Sequence, residues 1–215
     1  MKNWKQKFIQ FCFERNILKF GKFRLKSGEK SSFFFNFSFF NTGCDLEKLG
    51  FFYAKTIIKN NIDCNTLFGI AYKGIPIVIS SIIALKKYFN INITYCFSRK
   101  ETKNYGEHGK FIGCDLSKKN ILILDDVITS GTSIQNTIQT IESYTPLSNN
   151  LISGILVALD RRKNKNLNLF FLKKQYNLKI ISIIKIQDII NYVKNNKTLF
   201  CYLNHIEKMN CEIMK

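Results

Sequence analysis

Acidic residues are scarce in this chain: 15 Asp and Glu stand against 33 Lys and Arg, a formal net charge of +18 over 215 residues. Histidine is scarcer still, with His108 and His205 alone. No Cys/His grouping has zinc-ligand spacing, which excludes a zinc-finger type of module. The seven cysteines (Cys12, Cys44, Cys64, Cys96, Cys114, Cys201 and Cys211) include no Cys-x-x-Cys pair and are odd in number. With no secretory leader either, the expected setting is the cytoplasm, where thiols stay reduced and act mostly as packing groups. Long apolar runs are missing too. The longest, Ile75 to Leu85, is interrupted by Ser80 and Ser81 and falls short of the roughly 20 residues that span a bilayer, so no membrane partner is expected. There is no internal repeat and no linker. With 46% hydrophobic residues, the chain can bury one sizeable core, and a single domain over residues 1–215 is expected.

A shortage of acid invites a nucleic-acid reading. The excess lysine, however, is scattered through Lys/Asn-rich stretches such as Lys163-Asn-Lys-Asn166 rather than drawn into a stripe. A positive field serves a small polyanionic substrate equally well, and no nucleic-acid partner is expected.

The most informative run is residues 121–133, Ile-Leu-Ile-Leu-Asp-Asp-Val-Ile-Thr-Ser-Gly-Thr-Ser. Ile121 to Leu124 read as a buried strand of a parallel sheet. Asp125 and Asp126 follow where that strand is expected to end. A small hydroxyl-rich turn comes next, and Ile134, Ile138 and Ile141 then recur at helical spacing. A helix N-terminus offers unpaired N–H groups and partial positive charge to a phosphate. Gly131 lets the backbone approach the anion, and Thr129, Ser130, Thr132 and Ser133 add hydroxyl donors. Carboxylates accept from hydroxyls and repel phosphate, so Asp125 and Asp126 suit a sugar diol. The run lacks the Gly-Lys-Ser/Thr ending of a P-loop and the three spaced glycines of a dinucleotide fingerprint. The plainer alternative is a strand followed by a helix for which Asp, Ser and Thr are only caps.

Along the rest of the chain, Trp4–Arg15 reads as an amphipathic helix with Trp4, Phe8 and Phe11 or Cys12 on one face. Phe23–Leu25 and Phe33–Phe37 read as short strands around a turn at Lys26–Lys30. Asp45–Lys59 reads as a helix capped by Asp45, with a Leu46, Leu49, Tyr53 and Ile57 stripe. Strands are expected at Thr66–Ile70, Ile93–Phe97, Gly154–Leu159 and Ile180–Ile184, a helix opened by Pro76, a long polar loop over Ser98–Gly113, and helix from Ile186 onward. This alternation predicts an α/β fold, a mainly parallel twisted sheet with helices on both faces. Ligands in such sheets sit at the carboxyl ends of strands.

The segment Leu124-Asp-Asp-Val-Ile-Thr-Ser-Gly-Thr-Ser133 resembles the 5-phosphoribosyl 1-pyrophosphate (PRPP) signature of the type I phosphoribosyltransferases. Further segments, in the family's order, narrow the resemblance to the bacterial orotate phosphoribosyltransferases: Leu18-Lys-Phe-Gly21, Leu25-Lys-Ser-Gly28, Phe34-Phe-Asn36, Phe40-Asn-Thr-Gly43, Phe68-Gly-Ile-Ala-Tyr-Lys-Gly-Ile-Pro76 and Tyr95-Cys-Phe-Ser-Arg-Lys-Glu101. The resemblance runs from near the start of the chain to Arg161. It implies the type I phosphoribosyltransferase fold, with a small N-terminal hood over about 18–40 and a mobile lid over about 99–113. It also implies transfer of the phosphoribosyl group from PRPP to orotate, giving orotidine 5′-monophosphate and pyrophosphate in pyrimidine biosynthesis, with Mg²⁺ held mainly through substrate oxygens.

By the same resemblance, PRPP is bound by Lys26, Tyr72, Lys73, Arg99, Lys100, Lys103, Tyr105, Asp125, Asp126 and the run Val127, Ile128, Thr129, Ser130, Gly131, Thr132 and Ser133. Lys103, Asp125 and Asp126 are the catalytic candidates. Orotate falls to Lys26, Phe34, Phe35, Thr129 and Arg161. The lid implies a homodimer, because in the family it reaches into the neighbouring subunit's site. Tyr105 stands where the family commonly has His; its hydroxyl can donate to a phosphate oxygen and does not become cationic near neutral pH.

Each motif has an ordinary alternative. The Arg99–Gly109 stretch reads equally as a solvated charge run, Tyr72-Lys73-Gly74 as a tight turn, and Phe34 and Phe35 as core in a chain with 20 phenylalanines. Arg161 could pair bidentately with a carboxylate, and so could its neighbour Arg162. Two other functions fit the central run: a purine-base transferase of the same fold, or a non-catalytic PRPP-sensing regulator that binds nucleic acid. A purine carries no carboxylate for Arg161, and a complete lid speaks against the regulator.

Overall fold

The computed structural model describes residues 3–24, 30–103, 109–145, 151–162 and 176–203, with backbone alone at 30, 100–103, 109 and 151. Two sheets organise these residues. Strands β1 (Leu18–Arg24) and β2 (Lys30–Phe35) form an antiparallel pair. The main sheet has β3 (Thr66–Gly69), β4 (Thr94–Lys103), β5 (Gly109–Gly113), β6 (Asn120–Ile128), β7 (Leu151–Asp160) and β8 (Ile180–Lys185). Its order is β5-β4-β3-β6-β7-β8, parallel except for the antiparallel β4–β5 pair. This is the expected α/β architecture.

β6 lies near the middle of that sheet, and its sequence explains why. Ile121 to Leu124 are all fully buried, and successive side chains point to opposite faces. Leu122 and Leu124 join one core, with residues of helices α1 (Trp4–Glu14), α2 (Gly43–Lys59), α3 (Gly74–Phe89) and α5 (Ile186–Lys194). Ile121 and Ile123 join another, built against Ile134, Ile138 and Ile141 of α4 (Thr132–Tyr144). A strand apolar on both faces belongs between two helical layers. Among the described residues no helix is long and apolar enough to cross a membrane.

Three local expectations change. The strand of the acidic pair does not stop at Leu124. β6 runs to Ile128, with Ile128 opposite Asp160 of β7, because a neighbouring strand can satisfy backbone groups whatever the side chains. The polar stretch Ser98–Gly113 is not a loop throughout. β4 continues to Lys103 and pairs back with β5, Ser98 opposite Phe111 and Lys103 opposite Gly109, so the candidate lid is a β-hairpin. The N-cap of α2 is Thr42, whose hydroxyl accepts from the Asp45 N–H at 3.2 Å. Asp45 itself is in the first turn, where its buried carboxylate accepts from Thr42 Oγ1 and pairs with Arg15 at 2.9 Å. The last stretch is helical over α5 and a 3-10 turn at Lys197–Tyr202; residues 204–215 lie outside the described residues.

Candidate functional site

The extension of β6 puts two carboxylates inside the sheet rather than beyond it. Asp126 is 6% exposed, and its Oδ2 lies 2.6 Å from Lys73 Nζ. The Asp126 N–H donates to Asp125 Oδ1 at 2.9 Å. Burial raises the Asp125 carboxyl to about 7, and the charge of Asp126 pushes the same way; the Asp126 N–H and Lys73 oppose the shift. Two adjacent carboxylates in a half-dry strand ionise together only with help from donors or cations. The free site therefore wants hydroxyl donors and positive charge, as a ribose diol and its escorts would provide.

Beyond Ile128 the chain turns. Gly131, at φ +81°, is the N-cap of α4, a left-handed geometry that favours glycine. The side chains of Thr129, Ser130, Thr132 and Ser133 are exposed around it, and Ser130 Oγ lies 3.0 Å from Thr132 Oγ1. The first backbone N–H groups of α4 have no partner within the helix. Val127 and Ile128 instead pack into the two cores, so what they can offer a ligand is backbone.

Lys73 reaches the doublet from the turn between β3 and α3. Two glycines make that turn tight. A Cβ on Gly74 would stand 2.8 Å from Gly69 C and 3.0 Å from Leu124 O, and one on Gly69 would meet Gly74 O at 2.5 Å. The Ile70 N–H donates to Leu124 O at 3.1 Å, tying the turn to β6. The Ala71–Tyr72 peptide is cis. Tyr72 is 66% exposed and the Lys73 side chain 54% exposed, both open to an incoming ligand.

At the end of β7, the two arginines separate by their partners. Arg162 spends its fork on Asp160, with Nε 2.9 Å from Oδ1 and Nη2 2.7 Å from Oδ2. Arg161 reaches the β1–β2 hood instead: its guanidinium lies over the Phe33 ring, 4.9 Å from the centroid, and Nη2 donates to Ser31 Oγ at 3.3 Å. Its own N–H donates to Ile128 O at 2.9 Å, which links the hood-facing arginine to the end of β6. On β2, Phe34 is half-buried against the Phe23 ring at 5.6 Å, and Phe35 is buried.

Asp125, Asp126 and Lys73 thus meet directly, and Arg161 meets the strand of Phe34 and Phe35. Arg99 is half-buried on β4; for Lys100 and Lys103 only the β4 backbone is placed. Lys26, Tyr105 and His108 lie outside the described residues. Two contributors escaped the motif reading. Ser31 had no distinguishing signal. Tyr53, counted only as part of a core stripe, donates its hydroxyl to the Asp125 carbonyl at 2.8 Å.

Comparison with known proteins identifies the family. A family model described as a phosphoribosyl transferase domain matches residues 45–185. The chain is 58% identical over 209 residues to an orotate phosphoribosyltransferase of Buchnera aphidicola subsp. Baizongia pistaciae, covering 96% of this chain and 100% of that protein. It is 48% identical over 202 residues to the orotate phosphoribosyltransferase of Buchnera aphidicola subsp. Acyrthosiphon pisum (strain Tuc7), covering 92% of each. The crystal structure of orotate phosphoribosyltransferase from Francisella tularensis superposes with a TM-score of 0.81 at 33% identity, over 96% of this chain and 98% of that one.

Proposed function

From a chain that belongs to the phosphoribosyltransferase family, and within it to the orotate phosphoribosyltransferases, we propose the following division of labour among its residues. The protein is a pentosyltransferase that moves the 5-phosphoribosyl group from PRPP to orotate, yielding orotidine 5′-monophosphate and pyrophosphate in pyrimidine biosynthesis. Asp125 and Asp126 hold the ribose diol. Thr129 to Ser133, with the N-terminus of α4, hold the 5′-phosphate. Tyr72, Lys73, Arg99, Lys100, Lys103 and Tyr105 take the pyrophosphate, and Lys26 assists.

Breaking the bond at ribose C1 develops positive charge on the ring and negative charge on the departing diphosphate. The rate then depends on how well both are held where they form. The Lys73–Asp126 pair suits this exchange: as pyrophosphate takes the ammonium, the carboxylate is released to the sugar. Phe34 and Phe35, with Lys26 and Thr129, frame the pyrimidine, and Arg161 meets the orotate carboxylate. The β4–β5 hairpin acts as a lid over residues 99–113 that closes on the pyrophosphate, and Lys103 serves the neighbouring subunit of a homodimer. This lid and dimer reading rests on the family resemblance. The hood spans residues 18–40 of a single domain, and the working compartment is the cytoplasm.

Mg²⁺ fits as a companion of the substrate. The Asp125–Asp126 doublet offers carboxylate oxygens that would help to hold such an ion. Such an ion supplies charge neutralisation at the pyrophosphate.

The observation that carries the assignment of the base is the hood-facing guanidinium of Arg161, held between β7 and β2 and absent any role in a purine pocket. The test is the loss of orotate absorbance on adding PRPP and Mg²⁺, run beside adenine and hypoxanthine. Orotate is expected to be consumed; consumption of a purine in its place overturns the assignment.

A further inference from the structure

Tyr53 is fully buried in the middle of α2, at 0% exposure, and its hydroxyl ends at the strand that carries the acidic doublet. It donates to the Asp125 carbonyl at 2.8 Å. The β6–β7 ladder has a gap at this point. Its register passes from Asp125 opposite Val157 to Val127 opposite Leu159, and Asp126 and Ala158 between them do not pair directly. Parallel strands ordinarily bond to each other at even intervals. The phenol adds a donor to the Asp125 carbonyl from outside the ladder, beside this interruption. The peptide joining Asp125 to Asp126 is thereby fixed from a helix rather than from the adjacent strand alone.

We propose that Tyr53 is a positioning residue for ribose binding: its hydrogen bond to the Asp125 carbonyl, beside the interruption of the β6–β7 ladder, sets the direction in which Asp125 and Asp126 present their carboxylates. The inference rests on the reading that this doublet holds the diol of PRPP. Removing the hydroxyl takes this donor from the Asp125 carbonyl. The strand is then held less firmly at the doublet and the carboxylates are re-aimed, while the ring volume and the fold are kept.

The test is Tyr53→Phe, followed by steady-state kinetics and by titration with ribose 5-phosphate and, separately, with pyrophosphate. KM for PRPP is expected to rise about tenfold, the worth of one well-placed hydrogen bond, with KM for orotate unchanged. Ribose 5-phosphate binding should weaken while pyrophosphate binding holds. Phe52→Leu is the control: it thins the packing of the same helix without touching the hydroxyl, and should lower the melting temperature while leaving KM for PRPP in place. An unchanged KM for PRPP in Tyr53→Phe overturns the proposal. So does a parallel rise of both KM values together with a loss of melting temperature like that of the control. Wild-type protein that consumes no orotate counts against the functional reading instead, and the ribose 5-phosphate titration still decides the role of Tyr53.

Discussion

The two halves of the proposed PRPP site are built in opposite ways. The ribose half is a central strand: Asp126 is buried, and Asp125 is roofed by Tyr53 and bracketed by two cores. The proposed pyrophosphate half combines Tyr72 and Lys73, exposed on a turn, with the β4 residues Arg99 to Lys103 of a hairpin at the sheet edge. The difference follows from what each must do. A neutral diol is recognised by aim, which needs a rigid, dry mount. A diphosphate that arrives and leaves in every cycle is better met by long cations in water, where pairing and release cost little.

The contrast is broken most severely at the edge. Lys103→Ala should cut kcat about 10³-fold, the scale on which a charge aimed at a developing anion contributes, and leave the melting temperature unchanged. Unaltered turnover in a steady-state assay would remove Lys103 from catalysis. The junction between the halves is the next place to press. Gly74→Ala drives a Cβ to within 2.8 Å of Gly69 C and 3.0 Å of Leu124 O. A destabilisation of about 1–3 kcal/mol is expected, as for other overpacked sites, measurable by urea denaturation; a neutral result would mean that the turn yields more easily than its close approach implies.

The smallest effect lies in the rigid half. Asp125 is raised above its unfolded value, mainly by burial, so the folded state holds a proton that the unfolded chain has lost. The stability this group contributes is present below about pH 4 and lost as pH rises through about 7. Asp125→Asn does not titrate. In ligand-free protein its melting temperature should therefore gain on that of wild type between pH 5 and pH 8. A constant difference across that range would mean that Asp125 is already ionised at the lower end.

Much of this arrangement was legible in the residues. The apolar run Ile121–Leu124, the hydroxyl-rich turn and the Ile134, Ile138 and Ile141 stripe are local signals with local causes, and each lies where its periodicity put it. Strand ends were less legible, because they depend on a neighbour. β6 continues through charged residues since β7 runs beside it, and Ser98–Lys103 is a strand because Gly109–Gly113 returns along it. The cap of α2 moved from Asp45 to Thr42, since either side chain can accept from a first-turn N–H and only the backbone path selects between them. Arg161 and Arg162 are indistinguishable as adjacent letters. Asp160 engages the fork of one and the hood receives the other.

What the residues determined unaided is the chemistry on offer: paired carboxylates, a glycine-bearing turn of hydroxyls before a helix, and cations in excess of any local need. All of these are properties of short stretches, fixed by side-chain type and spacing. Only the tertiary structure decided which groups meet. Lys73 and Asp126 are brought to 2.6 Å across 53 positions, and Tyr53 and Asp125 to 2.8 Å across 72. Contacts of that kind arise because close packing of helices on a sheet fixes distances that no periodicity encodes.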